Sequence, residues 1–132
     1  MTEEQTEKLI RSRIAKSKKF LFQAEQVFKF KFYDNCINRT YYACFYIVNA
    51  LLLKHGYKPK SHSGVRTILN KHFSGKNQLE PLQLKFFSEL SKLRSFADYD
   101  AEVEFEKNIT KENLETAKIF IAAIEKLILD AR

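Results

Sequence analysis

The sequence predicts an all-α fold, an antiparallel bundle of four long helices plus one short helix, and three observations carry that reading. Only three glycines and two prolines stand among 132 residues, too few for the many tight turns that a sandwich or barrel of short strands needs. Apolar residues recur every three or four positions over long segments, the period of a helix with one buried face. Capping and stop residues fall where those segments begin and end. The length suits one continuous core, and no internal repeat, low-complexity tract or linker divides the chain, so residues 1–132 are expected to form one domain.

The first helix is expected from about Glu3 to Lys31, with Ile10, Ile14, Ser17, Leu21, Ala24 and Phe28 on one face. Asp34 is placed to cap the next helix by accepting N–H bonds from its first turn. That second helix, about Asn35 to His55, carries Ile37, Tyr41, Cys44, Phe45, Val48, Leu51 and Leu52 on one face and Tyr42, Tyr46 and Leu53 off it. A helix apolar nearly all round belongs in the middle of a bundle. Gly56 supplies a left-handed stop, and Tyr57-Lys58-Pro59-Lys60 reads as a loop.

A short helix follows from about Ser63 to Phe73, through Val65, Ile68, Leu69 and His72, with Ser61 or His62 as its cap. Pro81 opens the fourth helix, where a missing N–H costs nothing, and its stripe is Leu82, Phe86, Leu90, Leu93 and Ala97. An acidic connector, Asp98 to Lys107, is the one candidate for a mobile segment, because its like charges repel. Thr110 is expected to cap the last helix, on which Leu114, Ala117, Ile121, Ile124 and Ile128 repeat.

The net charge of +7 is uneven: residues 1–76 hold fifteen Lys/Arg against five Asp/Glu, residues 77–132 eight against eleven. Such asymmetry suits a nucleic-acid or phosphate footprint on the first half, an acidic partner protein, or simply solvated helix faces. No segment reaches the roughly 20 apolar residues that cross a bilayer, and Met1 to Lys8 are acidic and polar, so a cytoplasmic protein is expected. Cys36 and Cys44 lie eight apart on one helix, about 12 Å of rise, too far for a mutual disulfide. They read as small core residues in a reducing compartment. His55, His62 and His72 have no metal-ligand spacing, and no phosphate loop, paired Cys-x-x-Cys or nucleophile elbow occurs, so no metal and no cofactor is expected.

Three polar clusters are candidates for a site. Arg39, Tyr42 and Tyr46 form a strip of cation and phenols on an otherwise apolar helix, able to meet a phosphate or a base, or else to satisfy carboxylates such as Asp98 inside the bundle. Arg94 and Asp98 are four apart and can pair, with Tyr99 adjacent; the pair is structural, or Arg94 stabilises charge on phosphorus. Lys60-Ser61-His62-Ser63-Gly64 is a polar loop at a helix start, suited to receive a phosphate or to cap the helix.

These same residues resemble the HEPN family (higher eukaryotes and prokaryotes nucleotide-binding), in particular its small stand-alone prokaryotic branch. The resemblance rests on Asn38-Arg39-Thr40-Tyr41-Tyr42-Ala43-Cys44-Phe45, on Ala50-Leu51-Leu52-Leu53 followed by Gly56, on Lys60 to Gly64, and on Leu93-Arg94-Ser95-Phe96-Ala97-Asp98-Tyr99. It implies a helical bundle that commonly dimerises. Many members resemble metal-independent ribonucleases with an Arg, four to six intervening residues, and a His. Arg94 matches the Arg, whereas Tyr99, Asp100 and Ala101 stand where the His would fall. Tyrosine moves protons far less readily than histidine near neutral pH. The resemblance also implies a small nucleotidyltransferase partner, as toxin and antitoxin or as a two-part enzyme.

Three functions are therefore expected to compete. In the leading one the chain is a nucleotide- or RNA-binding module: Arg39, Arg94, Lys60 and His62 contact phosphate, Tyr42 or Tyr99 a base or ribose, with Asp98 beside them. In the second it is an endoribonuclease acting at a dimer cleft, with Arg94 stabilising charge and His62 or Tyr99 moving protons. In the third, Arg39, Arg94 and Asp98 form a buried polar knot in a non-catalytic interaction scaffold. A homodimer is expected on separate grounds: Phe20, Phe22, Phe28, Phe30, Phe32 and Tyr33 crowd the end of the first helix and cannot all be buried by one small bundle.

Overall fold

The computed structural model describes residues 1–100 and 104–131. The helices are α1 (Glu3–Lys29), α2 (Tyr33–Lys54), α3 (His62–His72), α4 (Pro81–Tyr99) and α5 (Lys107–Asp130). The helix that is apolar all round takes the centre: α2 packs against each of the other four. It buries Ile37, Tyr41, Cys44, Ile47, Val48, Leu51 and Leu52 completely. Burying several such side chains, each worth about 1.5 to 3 kcal/mol, makes α2 the largest contributor to the core.

Directions follow from the pairs that meet. Arg13 bonds Asn49, Ser17 bonds Ala43 and Phe20 meets Tyr42, so α1 and α2 are antiparallel. Lys18 pairs with Glu125 and Glu25 with Lys118, so α5 is antiparallel to α1 as well. Asn38 bonds Asp98 while Tyr41 stacks on Phe87, which runs α4 antiparallel to α2. The four long helices thus alternate up and down, the antiparallel bundle that the periodicity predicts.

Several local expectations need correction. The first helix stops at Lys29, and Lys31 takes a left-handed φ of 65° in the turn. Asp34 is no cap: α2 begins at Tyr33 with Phe32 in the capping position and no side-chain cap, and Asp34 lies in the first turn, where its charge favours the positive end of the helix dipole. Thr110 is no cap either, because α5 starts after Glu106 and the buried Thr110 hydroxyl donates to the Glu106 carbonyl at 2.8 Å. On α4 the buried residues are Phe87, Leu90 and Ser91, while Leu82 is exposed. His72 is also exposed and stacks on Tyr57. The middle of the acidic connector, including Ala101, lies outside the described residues.

Other expectations match. Ser61 caps α3, accepting the Gly64 N–H at 2.9 Å, and Gly56 follows α2 with φ 85°. Pro81 occupies the first turn of α4, and the predicted stripe of α5 is buried from Leu114 to Ile128. Cys36 and Cys44 are free and buried, and burial pushes both thiols above their ordinary pKa. Among the described residues no helix is long and apolar enough to cross a membrane.

Candidate functional site

Residues four apart on a helix share a face. On α3 that places His62 beside Arg66; on α4 it aligns Ser88, Ser91 or Lys92, and Ser95. The two faces meet across a cleft of ≈ 410 Å³ lined by Ser61, His62, Ser63 and Arg66 on one side and Ser88, Ser91, Lys92, Arg94 and Ser95 on the other. Three permanent or near-permanent cations, one imidazole and five hydroxyls converge, and among the described residues no carboxylate lines the wall. The N-terminus of α3 opens at the same place and adds its positive dipole end.

The cleft floor is built by α2. The Tyr41 hydroxyl lies 2.7 Å from His62 Nδ1, and the Arg94 guanidinium sits over the Tyr41 ring at 4.9 Å and the Tyr42 ring at 5.9 Å. Burial raises the Tyr41 pKa against the opposing effects of Arg94, Ser91 and Arg66, so the phenol keeps its proton and can donate it to Nδ1. In that arrangement His62 carries its own proton on Nε2; in the other tautomer Nδ1–H donates to the phenol oxygen. The His62 pKa is lowered, first by burial and then by Arg94 and Arg66, so the ring is neutral near pH 7. It also stacks on Phe45 with centroids 4.5 Å apart.

Arg94 is held but underused. Burial disfavours its charge, yet Tyr42, Tyr41 and Asp98 outweigh that and raise its pKa. Its Nη1 donates to Asp98 Oδ2 at a long 3.5 Å, and its buried Nε has no hydrogen-bond partner among the described residues. Asp98 accepts a shorter bond, 3.0 Å, from Asn38 Nδ2 of α2. Arg66 donates to Ser91 Oγ at 2.9 Å, and Lys92 lies within 3.8 Å of Glu89 on the exposed rim. A guanidinium seated on a phenol ring with spare donors is suited to accept an oxyanion.

The candidates separate accordingly. His62 and Arg94 line the cleft, Tyr42 borders both, and Asp98 steadies Arg94. Lys60 and Tyr99 are exposed, Tyr99 at 81%, and neither lines the cleft. Arg39 bonds Asn38 and lies over the Phe20 ring on the α1 side of α2. It does not join Arg94 and Asp98 in one direct knot; Asn38 stands between them. Sequence reasoning missed Arg66, Ser91, Lys92 and the hydroxyl of Tyr41. The first three were signalled by spacing, Arg66 four residues after His62 and a serine stripe on α4, whereas Tyr41 is hidden by its place on the apolar face. Among the described residues no three His, Cys, Asp or Glu side chains gather as metal ligands would.

Residues 10–127 match the sequence profile of the HEPN domain. A protein of Methanocaldococcus jannaschii with the name "Putative toxin" is 35% identical over 116 residues, 88% of this chain and 79% of its own. A "UPF0332 protein" of Thermotoga maritima is 35% identical over 126 residues, 96% of each chain. A second M. jannaschii "Putative toxin" is 29% identical over 108 residues, 82% of this chain and 80% of its own.

Proposed function

The chain belongs to the HEPN domain family, and on that premise we propose that it is a nucleotide- or RNA-binding module that seats a phosphate group between α3 and α4. One observation carries this reading: Arg66, Lys92, Arg94 and His62 converge with five serines on a cleft that no carboxylate lines among the described residues. Such a wall attracts an anion and offers it both charge and neutral donors. His62 contributes its Nε2 N–H, and Tyr42 lies beside Arg94 where a base or ribose would continue from the phosphate.

The same proposal places the module in the cytoplasm, as the toxin half of a toxin-antitoxin pair with a small nucleotidyltransferase and as a homodimer. The toxin names of two relatives support the toxin role, and the resemblance of the motif blocks supports the nucleotidyltransferase partner and the dimer.

Binding of ATP and of single-stranded RNA, measured across a salt series, tests the reading. Affinity should fall steeply with salt. Arg66→Gln and Arg94→Gln should each lower it about tenfold or more, since a hydrogen bond to a charged group is worth about 1.5 to 3 kcal/mol. Absence of binding to either ligand at low salt would sink it.

One observation favours a second reading, metal-independent RNA cleavage: the fold brings an imidazole, His62, into the cleft with Arg94 although none follows Arg94 in sequence. His62, in the tautomer whose Nδ1–H donates to the Tyr41 oxygen, would accept the proton of the attacking hydroxyl at Nε2, and Arg94 would stabilise charge on phosphorus. RNA incubated with the protein in EDTA should then be cut by the wild type and not by Arg94→Ala; intact RNA in both rejects it.

A further inference from the structure

A second basic surface runs along the α1–α2 hairpin and is continuous with the cleft. Lys16 Nζ sits 5.0 Å above the Tyr46 ring, Arg13 lies 6.0 Å from the same ring, and Arg39 lies 6.0 Å from the Phe20 ring. Phe20 stacks on Tyr46 at 5.5 Å and meets Tyr42 at 5.8 Å. Tyr42 in turn meets His62 at 6.0 Å and Arg94 at 5.9 Å, so the ring series ends at the cleft mouth. From Asn49, which holds Arg13, to Arg39 is ten residues of α2, about 15 Å of helix.

Their seat on aromatic rings sets these cations apart: with Arg94 of the cleft they are the cations that lie over rings among the described residues. Among the described residues Arg13 and Arg39 bond only the neutral amides of Asn49 and Asn38, and none of the three ribbon cations reaches a carboxylate. Lys16 is exposed and the others are half-buried. Three uncompensated cations, preordered over aromatic rings, form the combination that tracks a phosphodiester backbone and tolerates any base.

We infer that Arg13, Lys16 and Arg39, seated on Phe20 and Tyr46, are a strand-binding track that holds single-stranded RNA leading from the cleft. This rests on the cleft reading above and adds a ligand length: the track engages an oligonucleotide and not a mononucleotide. A solvated cation–π cluster would have the same rings and no such ligand.

The full chain carrying Arg13→Gln, Lys16→Gln and Arg39→Gln together, its fold checked by thermal melting, tests the inference against a single-stranded RNA of about twelve nucleotides and against ATP. Affinity for the RNA should drop about tenfold or more at low salt, and the slope of log affinity against log salt should flatten by about 2, at about 0.7 per lost phosphate contact. ATP affinity should be unchanged. Unchanged RNA affinity and slope with ATP still bound would overturn the track and leave the cleft standing. An altered sedimentation mass with unchanged RNA affinity would make this face a contact between copies, and would also overturn it. If wild type binds neither ligand, the cleft reading fails and takes the track with it. Should the triple variant melt early, Lys16→Gln alone, at an exposed position, decides: its slope flattens by about 0.7 or the track is wrong.

Discussion

At His62 one side chain reports on the whole site. Burial, with Arg94 and Arg66 nearby, holds its folded pKa below the ordinary 6.5. The unfolded chain therefore binds more protons below about pH 6.5, so His62 favours folding at neutral pH and this contribution is lost as pH falls below that value. A proton-NMR titration should give His62 a midpoint under about 6.5. Arg94→Gln, which removes a positive neighbour, should move that midpoint upward; an unmoved midpoint would show that Arg94 does not face the ring. Arg94, Asp98 and Tyr42 were legible in the sequence because each is a polar group on or beside an apolar stripe, and His62 because it stands in a polar loop at a helix start. Lys60 and Tyr99 were drawn in only by adjacency, and one residue along a helix turns a side chain by about 100°, enough to take Tyr99 away from the Arg94 face. Tyr41 was read as core, correctly for its ring, but its hydroxyl is the hydrogen-bond partner of His62 Nδ1.

The elements decide how firmly that cleft is held. Ser61 caps α3 one residue before His62, so the cap and the site share a turn. Ser61→Ala should cost about 1 kcal/mol, the usual loss of an N-cap, and lower the melting temperature by about 3 to 5 °C. It should also weaken ligand binding, because His62 and Ser63 stand on the loosened turn; full stability and full binding would show that the cap is idle. Ser17 makes a comparable point on the hairpin: its buried hydroxyl donates to the Ala43 carbonyl at 2.7 Å where α1 and α2 lie closest. Ser17→Val removes that bond and crowds a close-packed site, and should destabilise by about 1 to 3 kcal/mol in a denaturant melt. Four of the five helical stripes were legible from period alone. On α4 the period found Leu90 but not the deepest residue, because Leu82, Phe86, Phe87, Leu90 and Leu93 allow two overlapping stripes: Phe86 and Phe87 both meet Phe120, and Phe87 alone also stacks on Tyr41. Helix starts at Phe32 and Glu106 were missed because neither uses a side-chain cap, so the nearest Asp or Thr drew the boundary instead.

At the scale of the molecule, the bundle leaves Phe22, Phe30 and Phe32 exposed at 64%, 71% and 57%, all near the α1–α2 turn. Three aromatic side chains in water on so small a domain favour association, and sedimentation at micromolar concentration should give about twice the 15.6 kDa chain mass. Phe30→Ser with Phe32→Ser should return it to a monomer, and a wild type already monomeric would remove the reason for the patch. The bundle also distributes its three histidines so that one stands in the cleft and two outside it, His55 against Phe73 and His72 against Tyr57. They serve as internal reporters for the central claim that phosphate binds between α3 and α4. The decisive measurement follows the ring signals of all three imidazoles by NMR with and without saturating ATP. Binding in the cleft predicts that the His62 signals move and its midpoint rises, because a polyanion now faces it, while the ring signals of His55 and His72 stay in place. ATP that binds and leaves His62 unmoved, or moves the signals of His55 or His72 instead, contradicts it.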